Sequence, residues 1–259
     1  LRRILKNGAV AAGYPNALWT LPRVVHVIER QWGVRLGVTQ TWNILRERLG
    51  WSCQRPDRRA RERNAAKIAT WKRDVWPALR AQAVAQKRVI VFVDESGLSQ
   101  RPTRIRTWSP IGQTPHLEFN FNWKTLSAMA GVSFYQFYFK LIVGSVKTPH
   151  VIEFLQQLQE RIGRPLLVIW DGLGAHKSRA VRDHVAATKG RVVLTYLPAY
   201  APELNPVEYL WGHWKHHEIP NLCASTLSLL GHHARRALRR MQKRPSLIKA
   251  FWIQAELSL

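Results

Sequence analysis

Three acidic side chains carry the first chemical suggestion in this sequence. Asp94 directly follows the apolar run Val89 to Val93, Asp171 directly follows Leu166 to Trp170, and Glu208 sits in NPVEYLW, 37 positions beyond Asp171. A carboxylate at the end of a hydrophobic strand has a rigid mount and an open face, which suits it to hold a hard divalent cation. If the fold brings three such groups together, they can hold two ions ~3.5–4 Å apart, one activating an attacking oxygen and one stabilising the leaving oxygen of a phosphodiester. Each acid also has an ordinary reading. The aspartates suit strand-end turns, and Glu208, at the third position of a helix capped by Asn205, suits a capping box. Glu95 and Glu203 are rival carboxylates. Glu95 ranks second because neighbours on an extended chain point to opposite faces, and Glu203 because it precedes the helix on a loop. His176, five residues after Asp171, is a candidate accessory group, or else a helix-start histidine bonded to backbone. A phosphate-binding P-loop needs Gly before its Lys, and His176 precedes Lys177, so no ATP site is expected. His213, His216, His217, His232 and His233 form no HExxH zinc pattern and read as surface or DNA-facing residues.

The charge balance names the partner class. The 259 residues carry 40 Lys plus Arg against 16 Asp plus Glu, a net charge of +24. Such an excess departs from an ordinary metabolic enzyme and favours capture of a polyanion, with nucleic acid ahead of a membrane surface. Apolar residues make up 46% of the chain and include 12 Trp, enough for a substantial core. No apolar run approaches the ~20 residues that span a bilayer, so no membrane segment is expected. Cys53 and Cys223 stand in unrelated contexts and suggest neither a disulfide framework nor a zinc site, which makes a reducing cytoplasm the default, with nucleoid association expected of a DNA-binding chain. The opening at Leu1, with no initiator Met, raises the expectation that an upstream part is missing.

Elements to position these groups follow from periodicity. Leu21 to Trp32 reads as a helix ended by Gly33. A second begins near Thr39, turns Trp42, Leu45 and Leu49 inward and Arg46 and Arg48 outward, and stops at Gly50. The pair reads as a helix-turn-helix, the alternative being a plain helical hairpin. In the first reading Thr39, Gln40 and Thr41 meet base edges in the major groove. The basic run from Gln54 to Arg63, with Arg55, Arg58 and Arg59, is a linker placed to track phosphates, or a solvated face. Asn64 to Val84 predicts a helix interrupted at Pro77. From Arg88 the pattern changes to a strand ending at Asp94, a hairpin over 126–143, a helix over 147–162, a strand over 166–170, a helix over 176–188, a strand over 192–197 and a helix from Asn205. This alternation predicts a mixed α/β fold with a central sheet. A last helix places Leu227, Leu230, Ala234, Leu238 and Met241 on one side and Arg235, Arg236, Arg239 and Arg240 on the other, suited to a phosphate backbone or to solvent. The expected division is 1–63, helix-turn-helix and basic linker, and 64–259, catalytic domain with the basic C-terminal helix.

The runs VFVDESG, TWSPIGQTP, VIWDGLGAHKS and LPAYAPELNPVEYLWGHWK resemble the catalytic domain of bacterial insertion-sequence transposases of the "six-thirty" family, relatives of the mariner transposases. The preceding WTLPRVVHVIERQWGVRLGVTQTWNILRERLGWSCQRP resembles their DNA-binding helix-turn-helix and following wing. The resemblance covers nearly the whole chain. It implies an RNase H-like domain behind an all-α helix-turn-helix or winged-helix domain, with the catalytic and metal-binding triad at Asp94, Asp171 and Glu208. It further implies two Mg²⁺ or Mn²⁺ ions and a homodimer on DNA. The implied reaction is cleavage at terminal inverted repeats and joining of 3′ ends to TA-containing target DNA, without a covalent protein intermediate. Two departures stand out. Relatives usually carry Asn after the second Asp, where this chain has Gly172, and many carry another helix-turn-helix upstream, for which 1–20 is too short. These departures keep a second reading open, a transposase-derived DNA-binding protein without cleavage. A repair or junction nuclease of the same fold is a third.

Overall fold

The structure is a computed structural model that describes residues 1–54, 56, 60–120, 124–174 and 176–257. Its contacts divide the chain into two compact units, Leu1–Arg59 and Ala60–Leu259. Arg55, Arg58 and Arg59, expected to contact DNA, lie outside the described residues.

The first unit contains α1 (Arg2–Lys6), α2 (Leu21–Trp32) and α3 (Val38–Asn43), the last continued by a wide turn over Ile44–Arg48. The Thr20 side chain accepts the Arg23 N–H and starts α2, and Gly33, at φ 68°, ends it in the left-handed conformation that glycine tolerates best. Leu5, Val24 and Ile28 form its core, with Trp19, Leu45, Leu49 and Trp51 packed around them. Trp42 departs from expectation. It is 39% exposed and lies under the Arg46 guanidinium, 5.0 Å from the ring centroid, so it belongs to the outer surface. Among its described residues this unit has no strand, so the wing of the resemblance is not formed there as a β-ribbon.

The second unit opens with α4 (Ala65–Thr70), a wide turn over Trp71–Val75 and α5 (Trp76–Ala85). Pro77 lacks the N–H that a regular helix needs, and the wide turn just before it absorbs the fault without ending the helical run. The strands are β1 (Val89–Ser99), β2 (Thr125–Val132), β3 (Phe137–Val143), β4 (Leu166–Trp170) and β5 (Val192–Tyr196). They form a five-stranded sheet in the order β3-β2-β1-β4-β5, with β1, β2 and β3 antiparallel and β1, β4 and β5 parallel. This is the mixed, RNase H-like sheet that was expected. β1 is longer than expected, because it continues through Asp94 to Ser99 along β2 after its pairing with β4 stops at Phe92.

Helices cover both faces of the sheet. On one face α6 (Thr148–Ile162) and α7 (Arg179–Ala187) pack on Val91, Val93, Val168 and Trp170. On the other, α5, α8 (Pro206–His213), α9 (Leu227–Gln242) and α10 (Pro245–Gln254) pack on Ile90, Phe92, Ala128 and Ile169. Alternate residues of β1 therefore serve opposite cores. α7 starts at Arg179 behind a Ser178 cap, so His176, expected to lie within this helix, precedes it in a turn. No described helix is long and apolar enough to cross a membrane.

Gly131 in β2 sets how closely α6 approaches the sheet. A β-carbon there would stand 3.0 Å from Val91 Cγ1 and 3.2 Å from Leu158 Cδ2. Gly131→Val should therefore lower unfolding free energy by about 1–3 kcal/mol through overpacking, despite the better strand propensity of Val. Urea denaturation measures the loss, and an unchanged or raised stability would contradict this packing.

Candidate active site

The parallel register of β1 and β4 brings two of the acids together. Their last pair is Phe92 with Ile169, and two residues further along each chain come Asp94 and Asp171. β4 stops at Trp170, so β1 alone carries on, and Asp94 stands inside a strand with its β4 side no longer covered. The strand-end turn reading thus fails for Asp94. Asp171 retains it in part, since its Oδ1 accepts the Leu173 N–H at 3.1 Å.

Helix α8 delivers the third acid. Asn205, 3% exposed, caps it by accepting the Val207 N–H at 3.1 Å and donates from Nδ2 to the Val93 carbonyl at 3.3 Å. One side chain thus starts the helix and ties it to the strand beside Asp94. The Asn205 N–H is taken by the Pro202 carbonyl at 2.9 Å, so the capping-box reading of Glu208 does not apply. Trp211, three residues after Glu208 on the same helical face, donates its Nε1–H to Asp94 Oδ2 at 3.0 Å. Asp94, Asp171 and Glu208 line one cavity of about 500 Å³, together with Lys177, Tyr200 and Asn205.

On the other side of β1, Glu95 and His176 hold Asp171. His176, 1% exposed, stacks on Trp170 with ring centroids 4.2 Å apart and an interplanar angle of 9°. Its Nδ1 lies 2.8 Å from Asp171 Oδ1 and its Nε2 3.0 Å from Glu95 Oε1. Burial alone would disfavour the imidazolium, but hydrogen bonds to Asp171 and Glu95 and their charges outweigh it and push the His176 pKa up to about 10. Glu95 is thus a partner of His176, on the face opposite Asp94 as alternation predicts. The other rival, Glu203, pairs with Arg63 at 2.6 Å and does not line the cavity.

The three acids repel one another. Burial, then Glu208, Glu95 and Asp171, push Asp94 well above the usual carboxylate range against a backbone hydrogen bond that lowers it. Glu208 is exposed by area, yet the desolvation of its carboxyl by the surrounding protein raises it first, with Lys215 lowering it and Asp171 raising it further. For Asp171 burial acts upward, but the bonds from His176 and Leu173 and the charges of His176 and Lys177 win and lower it. Hard oxygen donors under mutual repulsion fit a divalent cation, whose charge relieves that repulsion. As placed, no three His, Cys, Asp or Glu side chains among the described residues group closely enough to hold an ion jointly, so binding requires side-chain movement within the cavity.

The expected DNA contacts divide by exposure. Thr39 and Gln40 are exposed at the start of α3, with Gln40 Oε1 accepting the Gly37 N–H at 3.0 Å. Thr41 does not face outward. It is fully buried and donates its hydroxyl to the Gly37 carbonyl at 3.0 Å, so its job is to hold the turn. Arg46 and Arg48 are exposed. On α9, Arg235, Arg236, Arg239 and Arg240 line a surface groove of about 450 Å³, with Leu230, Ala234, Leu238 and Met241 buried behind them. Arg240 also bonds Glu218 at 2.8 Å, which offsets part of its charge. His213 is only partly exposed and packs against His217 and Phe251, not the outward placing expected for it.

Sequence reasoning missed Trp211, although its spacing from Glu208 was visible. In protein freed of divalent ions, His176 should remain charged from pH 6.5 to beyond pH 8 and lose its proton near pH 10. A raised pKa adds stability that is complete below the unfolded value and is lost as pH rises through the folded one. NMR titration of the imidazole checks this. Glu95→Gln should lower the midpoint, and a midpoint near 6.5 in the parent chain would contradict the pairing.

Residues 89–228, more than half of the chain, match the family described as DDE superfamily endonuclease, and residues 15–75 match that described as winged helix-turn helix. No curated protein matches the sequence. Among solved structures, the mariner Mos1 paired end complex with Mg is similar at 17% identity with a TM-score of 0.63, covering 94% of this chain and 78% of that one. The Mos1 transposase paired-end complex with left transposon end is similar at 18% identity and a TM-score of 0.61, covering 96% and 78%. At such identities the likeness bears on the fold, which is RNase H-like behind a helix-turn-helix. With its sheet, its three acids and the matched span taken together, the chain belongs to the DDE superfamily endonucleases.

Proposed function

We propose that this endonuclease is a DNA transposase of the six-thirty branch, acting as a homodimer on double-stranded DNA at the nucleoid. It binds terminal inverted repeats, cleaves the element ends and joins the freed 3′ ends to TA-containing target DNA. The observation that carries this reading is the single cavity lined by Asp94, Asp171 and Glu208, in a chain of net charge +24. The similarity to Mos1 complexes, one with the left transposon end and one with Mg, supports it.

Asp94, Asp171 and Glu208 are the residues that would hold Mg²⁺ or Mn²⁺. Two bound ions supply an activated attacking oxygen and a stabilised leaving oxygen for in-line displacement at phosphorus. The chain does the positioning. Trp211 fixes one oxygen of Asp94, and the Glu95–His176 pair orients Asp171. Asn205 sets the helix of Glu208 against the strand of Asp94. Arg46 and Arg48 in the wide turn after α3 and the basic face of α9, with Arg55, Arg58 and Arg59, attract phosphates without reading sequence, while Thr39 and Gln40, exposed at the start of α3, meet base edges. A second reading, DNA binding without cleavage, is favoured by one feature, the absence of a side chain at Gly172 beside Asp171.

Asp94→Asn should abolish Mg²⁺-dependent nicking of duplex DNA carrying the element ends, a larger loss than the ~10–100-fold typical of an outer hydrogen-bond partner, and leave binding intact. Tight binding by the parent chain with no nicking would favour the second reading. Replacing Arg46 and Arg48 with Ala should make the salt dependence of duplex binding shallower by about 0.9 per lost phosphate contact. An unchanged slope would move DNA recognition away from the Ile44–Arg48 turn that follows α3.

A further inference from the structure

Gly172 leaves open the space beside Asp171, and the end of Lys177 fills it. A β-carbon at position 172 would stand 2.9 Å from Lys177 Nζ and 3.5 Å from Cε. Gly172 is not among the glycines with left-handed φ, so what its missing side chain leaves is space, occupied here by the end of the Lys177 side chain and not by backbone. Three elements meet here. Gly172 follows β4, Lys177 lies in the turn before α7, and Tyr196 ends β5 with its ring centroid 5.0 Å from Nζ. The backbone of Lys177 is pinned, its N–H donating to the Gly174 carbonyl at 3.2 Å and its carbonyl accepting from Arg182 at 2.5 Å. Its side chain is exposed to solvent and lines the cavity of the three acids.

Among the described residues lining that cavity, Lys177 is the only Lys or Arg; Lys215, whose charge acts on Glu208 and Asp94, does not line it. The other basic residues give the chain its long-range attraction for a polyanion, yet a phosphate entering the cavity meets three acids. An ammonium on a flexible stem is a compact point charge suited to a phosphate oxygen. Seating it over an aromatic face holds it at the mouth without committing its donors to a carboxylate. We propose that Lys177 is the phosphate-binding cation of this cavity, admitted by the missing side chain of Gly172, and that it grips the sugar-phosphate backbone beside the acids. The inference rests on reading the cavity as a phosphodiester site. It gives Gly172 a constructive role, since the glycine exchanges an orienting side chain for a charge.

The test is equilibrium binding of the full chain to a 30-base-pair duplex in Ca²⁺ buffer, with affinity measured across a salt series. Lys177→Met should make the slope of log affinity against log salt shallower by about 0.9, one phosphate contact, and Lys177→Arg should restore it. Gly172→Leu should produce the same loss by displacing the ammonium, and should add nothing in the Lys177→Met background. A parent chain that binds no duplex overturns both this proposal and the function above. Duplex binding whose slope is unchanged by Lys177→Met, or a Gly172→Leu effect that adds fully to that of Lys177→Met, overturns this proposal alone.

Discussion

Like charges held close together are the constraint from which the rest of this catalytic unit follows. Three carboxylates that repel one another cannot be gathered by their own interactions, so rigid elements must force them into one cavity. The parallel pairing of β1 with β4 does this for Asp94 and Asp171, and Asn205 does it for Glu208 by capping α8 and reaching the Val93 carbonyl at 3.3 Å. Apolar burial on both faces of the sheet supplies the free energy that opposes the repulsion. Burial first, and the neighbouring acids after it, push the Asp94 carboxyl well above its ordinary range, and the charge of a cation held there would offset both.

The surrounding polar groups divide the labour by face. Toward α8, Trp211 engages one oxygen of Asp94, and toward α7, His176 bridges Glu95 and Asp171 while stacked on Trp170. Because the side chains of β1 alternate, adjacent Asp94 and Glu95 feed these two arrangements without competing. The positive charge is spread over other surfaces, among them Arg46 and Arg48 after α3 and the outer face of α9, where it attracts a polyanion over distance. The cavity itself is left acidic, with Lys177 at its edge.

Much of this was legible in the sequence because it is periodic. The uninterrupted runs Val89 to Val93 and Leu166 to Trp170 announce strands buried on both faces, and they locate Asp94 and Asp171 without any structure. Asn205 followed by Pro206 announces the helix that carries Glu208. What escaped depends on neighbours distant in the chain. The length of β1 past Asp94 is set by its pairing with β2, to which the local run gives no clue. Thr41 looks like an outward polar residue until its hydroxyl finds the Gly37 carbonyl, and Trp42 looks like core until the unit closes without it. Gly172 reads as a simple deletion of a side chain until the end of Lys177, five residues on, is seen in the vacated space.

The central claim is that these three acids act as one cation site. Mn²⁺ titration of the full chain, followed by electron paramagnetic resonance of the free ion, measures it most directly. The account predicts binding by the parent chain that weakens sharply in each of Asp94→Asn, Asp171→Asn and Glu208→Gln. Binding that survives any one of these substitutions at full strength, or no binding by the parent chain, would contradict it.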